Sequence, residues 1–447
     1  MLLAALPPPD VRSLYDRGQA AVLRAVRRAL LRALNSPPPA ADLAGADRRV
    51  CILLLRAWGM GGTIRASLNL AGELAREGYQ VEILSVSGGG ATPFFGQFPP
   101  GVQVTALDDK RPSPRRAKRL ARRVLQRCPS TLMYPDDRAA AGCSLWTDVM
   151  LVRRLRHRTG FLIGTRAMFN LFLAELSRPD LVTIGQEHMN LKRKRKALVP
   201  PTVASYPKLD AVAVLTDTDL RAYRELLHDG ARLARIPNGV RALAGPQSSL
   251  DRPMVLAAGR LTRQKGFDLL IPAFGQVVAQ HPEWRLRICG HGPLKGELAE
   301  QIAAQGLSHA IELAGAVGNM GEEMANASLY VLSSRWEGFP LVLLEAMSKG
   351  LAVVGTDCPT GPADIIDDHR NGLLVPMGDV GALAAAMGRL IEDEELRRRC
   401  GAAAVETAGQ YSMSAIGAQW DALFRDLWTS REAGPTAHRS ASSPVLL

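Results

Sequence analysis

The chain has no two cysteines at the spacing of a metal knuckle. Its six lie apart, at positions 51, 128, 143, 289, 358 and 400. That excludes a CxxC zinc or redox motif and offers no disulfide framework. A reduced, cytoplasmic setting is the expectation. No apolar run comes near the roughly 20 residues that span a bilayer. Met1–Leu6 is too short for the core of a secretory leader and lacks a basic flank. Aromatic residues are only 5%, with no RNA-stacking motif and no zinc finger, so nucleic acid is not an expected partner. The GxGxxG dinucleotide fingerprint is missing as well, and Val81-Glu82 supplies no convincing ribose acid after the second expected strand.

What is present describes a globular chain of two domains. Its 447 residues exceed one typical domain. Hydrophobic residues at 47% and charged residues at 22% suit sizeable cores. The net charge of +12 is unevenly placed. Up to Gly230 there are 35 Lys and Arg against 20 Asp and Glu, and the remainder is slightly acidic. An excess confined to one half points to a polyanionic partner. With so few aromatics, anionic lipid is favoured over nucleic acid.

Residues 1–47 read as an appendage. Pro7-Pro8-Pro9 and Pro37-Pro38-Pro39 bracket an expected helix from Asp10 to Leu34. Leu23, Val26, Leu30 and Leu34 recur on it at helical spacing, with Arg24, Arg27, Arg28 and Arg32 between them. Such a helix either lies on an anionic membrane surface or packs on its own domain or a second subunit. Strands are expected at Arg49–Leu55, Gln80–Val86, Val102–Leu107, Phe161–Gly164, Leu181–Gly185 and Ala211–Leu215. After a Gly/Pro/Ser-rich linker at 241–252 the alternation restarts, at Met254–Ala258, Arg285–Cys289, Ile311–Leu313, Leu329–Leu332, Ala352–Gly355 and Gly372–Val375. Helices fall between them and at 379–392, 394–408 and 412–429. The tail from Arg431 reads as disordered. Strands alternating with helices predict an α/β protein of two doubly wound parallel sheets.

The most informative stretch is Ser-Arg-Trp-Glu-Gly-Phe-Pro-Leu-Val-Leu-Leu-Glu-Ala-Met-Ser-Lys-Gly, from Ser334 to Gly350. It joins a strand to a helix starting near Pro340, where free N–H groups favour an anion. Glu337 on the turn and Glu345 two helical turns on share roughly one face. Two acids beside an anion-ready turn suit a polar, anionic ligand such as a nucleotide sugar. Arg260, Arg263 and Lys265, in the loop after strand 254–258, suit a diphosphate. That loop could equally be a solvated basic run. Gly61-Gly62-Thr63-Ile64-Arg65 opens a helix after the first strand, either as a phosphate turn or as a plain tight turn. Glu187-His188 follows strand 181–185, where His188 is either a base or sugar contact or an ordinary structural residue. Asp217-Thr218-Asp219 has a metal-like spacing, but an N-cap by Thr216, Asp217 or Thr218 explains it better. Lys192–Lys196 and the run Arg111–Arg127 are either solvated faces or a peripheral membrane patch.

Taken together, these residues resemble the retaining glycosyltransferases of family 4, which have the GT-B fold of two Rossmann-like domains facing across a cleft. The resemblance is strongest over about 254–376. Gly259-Arg-Leu-Thr-Arg-Gln-Lys-Gly-Phe-Asp268 is similar to the family's diphosphate loop. Glu337-Gly-Phe-Pro-Leu-Val-Leu-Leu-Glu345 matches its E-x7-E signature, and Asn371-Gly-Leu-Leu-Val is a further landmark. The first domain matches more loosely, through Gly61-Gly62 and Gln186-Glu187-His188-Met189-Asn190. Asp357-Cys-Pro-Thr-Gly-Pro362 looks like a variant found in transferases that extend lipid-linked or surface polysaccharides.

The resemblance implies an extension at 1–47, an acceptor-side domain at 48–245 and a donor-side domain at 246–410. It further implies a helix at 411–430 that crosses back to the first domain, ahead of a tail at 431–447. Arg260 and Lys265 would neutralise the donor diphosphate, Gly61 and Gly62 would offer backbone to it from across the cleft, and Glu345 would hold the ribose. Glu337 would sit by the donor sugar with the backbone of Gly338, Phe339 and Leu341, and His188 would contact that sugar. No metal or other cofactor is expected. The implied reaction moves a hexose-type sugar, most simply from a UDP-sugar, to a glycan or polyprenyl-linked acceptor at the inner face of the cell membrane. Two other readings stay open: a nucleotide-sugar epimerase of similar fold, and a non-catalytic membrane adaptor.

Overall fold

The structure, a computed structural model, describes residues 11–36, 43–88, 92–109, 116–228 and 230–432. The readings made for Met1–Leu6, both proline triplets, 111–115 and the chain beyond 432 lie outside those residues. The first sheet is built from β1 (Arg49–Arg56), β2 (Gln80–Gly88), β3 (Val102–Asp109), β4 (Gly160–Gly164), β5 (Leu181–Gln186), β6 (Ala211–Val214) and β7 (Leu233–Arg235), in the order β3-β2-β1-β4-β5-β6-β7. The second contains β8 (Met254–Ala258), β9 (Arg285–Cys289), β10 (Ile311–Gly315), β11 (Leu329–Leu332), β12 (Ala352–Asp357) and β13 (Leu373–Pro376), in the order β10-β9-β8-β11-β12-β13. The pairings within both sheets are parallel. Two doubly wound domains with the GT-B arrangement are therefore present.

Parallel strands are covered on both faces, so they need near-continuous apolar runs. Every residue of β4, β5, β6 and β11 is buried. The expected bounds of β8, β9 and β11 coincide with the observed ones. The edge strand β7 was not expected: its three residues are only half-buried and too short to show a period.

The last helix, Met413–Glu432, belongs physically to the first domain. Its Ile416, Trp420, Phe424 and Leu427 enter the same core as Val50, Ile52 and Ile83. Phe424 stacks on Phe161 at 4.3 Å, and Tyr79 donates to Asp421 at 2.7 Å. The helix continues through Arg431 to Glu432, past the point where the tail was expected to begin.

The segment between the domains is clamped. Lys349, itself buried, donates through Nζ to the carbonyls of Leu243, Ala244, Gly245 and Pro246 at 2.6–3.1 Å. Val240 and Ser412 form a parallel bridge where the two interdomain segments cross. A concavity of about 520 Å³ opens there, lined by Gly72, Arg76, Pro99, Val240, Arg241 and Ser412. None of these residues lies on the loops that carry Lys265 and Glu337.

The helix Val11–Asn35 settles one open question. Leu34 is 1% exposed, and Leu30 and Leu31 pack on the same core of the first domain. Arg27 donates to Thr131 O and pairs with Glu175, while Asn35 exchanges hydrogen bonds with Glu175 O and Ser177 N. Over this half the apolar stripe is taken by the chain's own domain, so it is not free to lie on a membrane.

Candidate active site

In each sheet the strand order reverses once, between β1 and β4 and between β8 and β11. Loops leaving such a pair run apart and open a crevice at the carboxyl ends of the strands. In the second domain these loops are Gly259–Gly266 and Ser333–Pro340, and a dense seam joins them. Ser333 Oγ donates to Lys265 O (2.9 Å), Gln264 Nε2 to Trp336 O (3.0 Å) and the Arg335 amide to Gln264 O (2.8 Å). The Arg335 guanidinium takes both Asp268 oxygens at 2.7 Å, and these hydrogen bonds hold that carboxyl below its usual range. Gly266 has φ +64°, and an added Cβ would stand 2.0 Å from Ser333 O. Glycine is what lets the two loops close.

The seam brings two of the expected residues together. Lys265 Nζ lies 2.5 Å from Glu337 Oε1, and Ser334 Oγ donates to the same oxygen at 2.6 Å. Glu337 is buried and Lys265 nearly so. Lys265 lies along Gly259, where an added Cβ would meet its side chain at 3.0–3.2 Å. Arg260, on the same loop, is exposed.

Glu345 is reached through the helix Leu341–Ser348 and is 2% exposed. Its Oε1 forms an ion pair with Arg65 Nη2 at 2.8 Å. Its Oε2 is closed off, with no partner among the described residues. Burial pushes this carboxyl up to about 7, against the pull of Arg65. Arg65 comes from the first domain, on the helix Gly62–Arg76 that Gly61 precedes. Gly61 O accepts the Arg65 amide, which leaves the Gly62, Thr63 and Ile64 amides at the open helix start.

His188 follows β5 and meets the second domain edge-on. An added Cβ at Gly338 would lie 2.4 Å from His188 O, so glycine is required by the approach of the two backbones. Both ring nitrogens of His188 are closed off from solvent and have no hydrogen-bond partner among the described residues. Burial pushes the imidazole down to about 4, with Glu187 opposing and Arg166 assisting, so it is neutral at pH 7. Thr360 ties this contact to Glu337: its Oγ1 donates to Glu337 O (2.7 Å) and accepts from Asn190 Nδ2 (3.1 Å). Thr360 does so at φ +63°, a left-handed conformation that costs a β-branched residue about 1–3 kcal/mol.

Some expectations hold at this level of detail and others need correction. The helix starts beside Pro340 as expected, with Pro340 as its N-cap residue. The Leu341 amide is not available to a ligand, because it donates to Phe339 O at 3.0 Å. The Phe339 amide has no acceptor among the described residues. In the run Lys192–Lys196, Lys192, Arg193, Arg195 and Lys196 are exposed, and Lys194 alone is withdrawn from the surface. Lys194 is 4% exposed and pairs with Glu187 at 2.9 Å, beside the Tyr206 hydroxyl, and Arg193 stacks on Trp336 at 4.3 Å across the cleft. Asn371 serves a turn, bonding Asp367 N, Ile365 O and Thr407 Oγ1. Thr216 caps the following helix on Asp219 N, while Asp219 accepts from Leu191 N at 3.0 Å. Arg65, Ser334, Thr360 and Asn190 were given no role from sequence. All four stand inside segments that were noticed, but the contacts of Arg65, Thr360 and Asn190 join segments far apart in the chain.

Two doubly wound domains, each with a crevice where its strand order reverses, define the GT-B fold. The family model described as Glycosyl transferases group 1 matches residues 244–407, a stretch that contains the whole second sheet. The chain is 37% identical over 392 residues to an exopolysaccharide phosphotransferase of Streptomyces coelicolor, covering 85% of this chain but only 41% of that protein. It is 29% identical over 269 residues to the amylovoran biosynthesis glycosyltransferase AmsD of Erwinia amylovora, covering 58% of this chain and 74% of that one. In fold it is similar to a variant of S. aureus TarM solved with fondaparinux, alpha-GlcNAc-glycerol and UDP. The TM-score is 0.67 at 16% identity, over 84% of this chain and 99% of that one.

Glu345 gives a pH signature. Its raised carboxyl favours the folded state fully below pH 4.5, and that contribution is lost as pH rises through about 7. Urea denaturation of Glu345→Gln should therefore show stability gained over wild type as pH goes from 5 to 8. A difference independent of pH would exclude the raised carboxyl. Gly338→Ala should drive the domains apart, seen as a larger radius of gyration in small-angle scattering with circular dichroism unchanged. An unaltered radius would mean that the backbone contact yields locally.

Proposed function

We propose that this chain is a retaining glycosyltransferase that moves a hexose-type sugar from a nucleotide diphosphate sugar, a UDP-sugar in the simplest case, to a glycan or polyprenyl-linked acceptor in polysaccharide or envelope synthesis. The observation that carries this reading is the pairing of Lys265 with buried Glu337 at the crevice of the second sheet, with buried Glu345 on the helix Leu341–Ser348 that follows. Lys265 and exposed Arg260 provide fixed positive charge where a diphosphate would leave. Glu345 offers a carboxylate to ribose hydroxyls, and His188 a neutral ring to the sugar. The C1–O bond to the β-phosphate breaks with its electrons on the leaving oxygen. The acceptor hydroxyl bonds to C1 on the same face, and its proton passes to the leaving phosphate. Cations aimed at that oxygen lower the barrier without a metal. The names of the two relatives, which act on exopolysaccharide and amylovoran, support a polysaccharide setting. The phosphotransferase name belongs to a protein more than twice the matched length.

The acceptor side supports a membrane setting. Among the described residues no helix is long and apolar enough to cross a membrane. The helices Val11–Asn35 and Arg116–Gln126 both pack on the helix Leu145–Leu155. This layer exposes Arg24, Arg28, Arg123, Arg127, Arg153 and Arg154 together with Leu120 and Val124, the latter two 65% and 53% exposed. Exposed arginines around protruding apolar side chains fit an anionic lipid surface at the cytoplasmic face.

Lys265→Ala should lower kcat about 10²–10³-fold in a transfer assay, and Glu345→Ala should raise KM for the donor. Full activity in both variants would refute the site. A screen of nucleotide sugars for slow donor hydrolysis identifies the donor. Proton NMR showing an isomerised donor without acceptor would favour the epimerase, and failure of every UDP- and GDP-nucleotide to bind in calorimetry would favour the adaptor. Separately, the protein should sediment with vesicles rich in anionic lipid and be released by salt. Neutralising Arg123, Arg127, Arg153 and Arg154 should abolish this, and equal binding to neutral vesicles would count against it.

A further inference from the structure

The buried carboxylate on the nucleotide side is already occupied, and its occupant comes from the other domain. Arg65 Nη2 lies 2.8 Å from Glu345 Oε1, and the Arg65 side chain is 33% exposed while that of Glu345 is 2% exposed. Glu345 Oε2 has no partner among the described residues. A guanidinium and two ribose hydroxyls compete for the same lone pairs. A nucleoside that uses Glu345 must therefore share or displace Arg65.

Where Arg65 would go is defined by its own helix. It is the fourth residue of the helix Gly62–Arg76, whose first three amides stand at the open helix start. Those amides and the helix dipole favour an anion, and Gly62 has nothing within 4 Å of an added Cβ, so the approach is open. The Phe95 ring flanks Arg65 in this position, with its centroid 5.7 Å from the guanidinium carbon. Arg65 thus stands between a carboxylate that a ribose would claim and a helix start that a phosphate would claim.

We propose that Arg65 exchanges partners on donor binding: it neutralises Glu345 in the nucleotide-free protein, and once ribose hydroxyls take Glu345 it becomes a ligand of the diphosphate. This rests on the reading of Glu345 as the ribose acid. The exchange couples occupancy of the nucleoside end to charge at the diphosphate end. A nucleoside alone must displace Arg65 and offers it no anion in return, whereas a nucleoside diphosphate supplies the replacement.

The test is calorimetry of the full chain with uridine and UDP, repeated with guanosine and GDP, on wild type, Arg65→Ala, Arg65→Lys and Glu345→Ala. In Arg65→Ala the nucleoside should bind at least as tightly as to wild type, while the preference for diphosphate over nucleoside falls at least tenfold. Arg65→Lys should restore part of that preference, with its thermal midpoint showing that the fold is kept. An unchanged preference in Arg65→Ala overturns the proposal, as does a loss of nucleoside and diphosphate affinity in equal measure, which marks a purely structural pair. Wild type that binds diphosphate independently of Glu345 overturns the ribose reading instead. Wild type that binds no nucleotide overturns both.

Discussion

An ammonium held against a buried carboxylate organises the second domain's crevice. Lys265 and Glu337 lie on loops that leave adjacent strands, β8 and β11, and 2.5 Å between their charges fixes the distance between those loops. Neither charge is tolerable there alone, since an unpaired buried ion loses several kcal/mol of hydration. The neighbouring bonds from Gln264, Ser333 and the Arg335–Asp268 fork maintain the same registry, and Ser334 holds Glu337 within its own loop. Their common effect is a rigid cationic ledge. Rigidity matters for group transfer because charge aimed in advance need not reorganise as the leaving group departs.

The two domains make unequal contributions. The second offers its charges on two loops bonded to each other. The first offers single groups from separate elements: Arg65 from a helix, His188 from the end of β5, Asn190 just beyond. What unites these is contact with the second domain, through Glu345, Gly338 and Thr360 respectively. The first domain's share of the site therefore exists only when the cleft is closed. The strain at Thr360 sits at that join, where one hydroxyl serves a carbonyl of its own domain and an amide of the other.

The legible parts of the sequence were those whose signal is local. Strands β8 and β11 showed themselves as short apolar runs and β9 as Leu286 and Ile288 alternating with Arg285 and Arg287 ahead of Gly290, and the spacing of Glu337 and Glu345 is a property of one turn and one helix. The hidden parts depend on which distant segments meet. Lys194 sits in a run of five cations and looks solvated, yet its buried partner Glu187 lies seven residues away across a turn that brings Tyr206 beside both. The apolar stripe of the first helix was visible, but not what covers it. The Leu341 amide failed as a ligand group because a backbone carbonyl two residues back takes it, a detail of turn geometry that composition does not encode.

Lys349 has a consequence for motion. By holding the carbonyls of residues 243–246 it attaches that stretch of the interdomain connection to the end of the very helix that carries Glu345. The stretch is then part of the second body, and bending is pushed back toward Val240, where the outgoing chain runs beside Ser412 of the returning one. Two strands of backbone crossing side by side resist twisting and permit swinging, as paired pins do on a gate. The cleft would therefore open along one arc, and every interdomain contact, from Arg65 to Asn190, would part in a fixed sequence set by its distance from that axis.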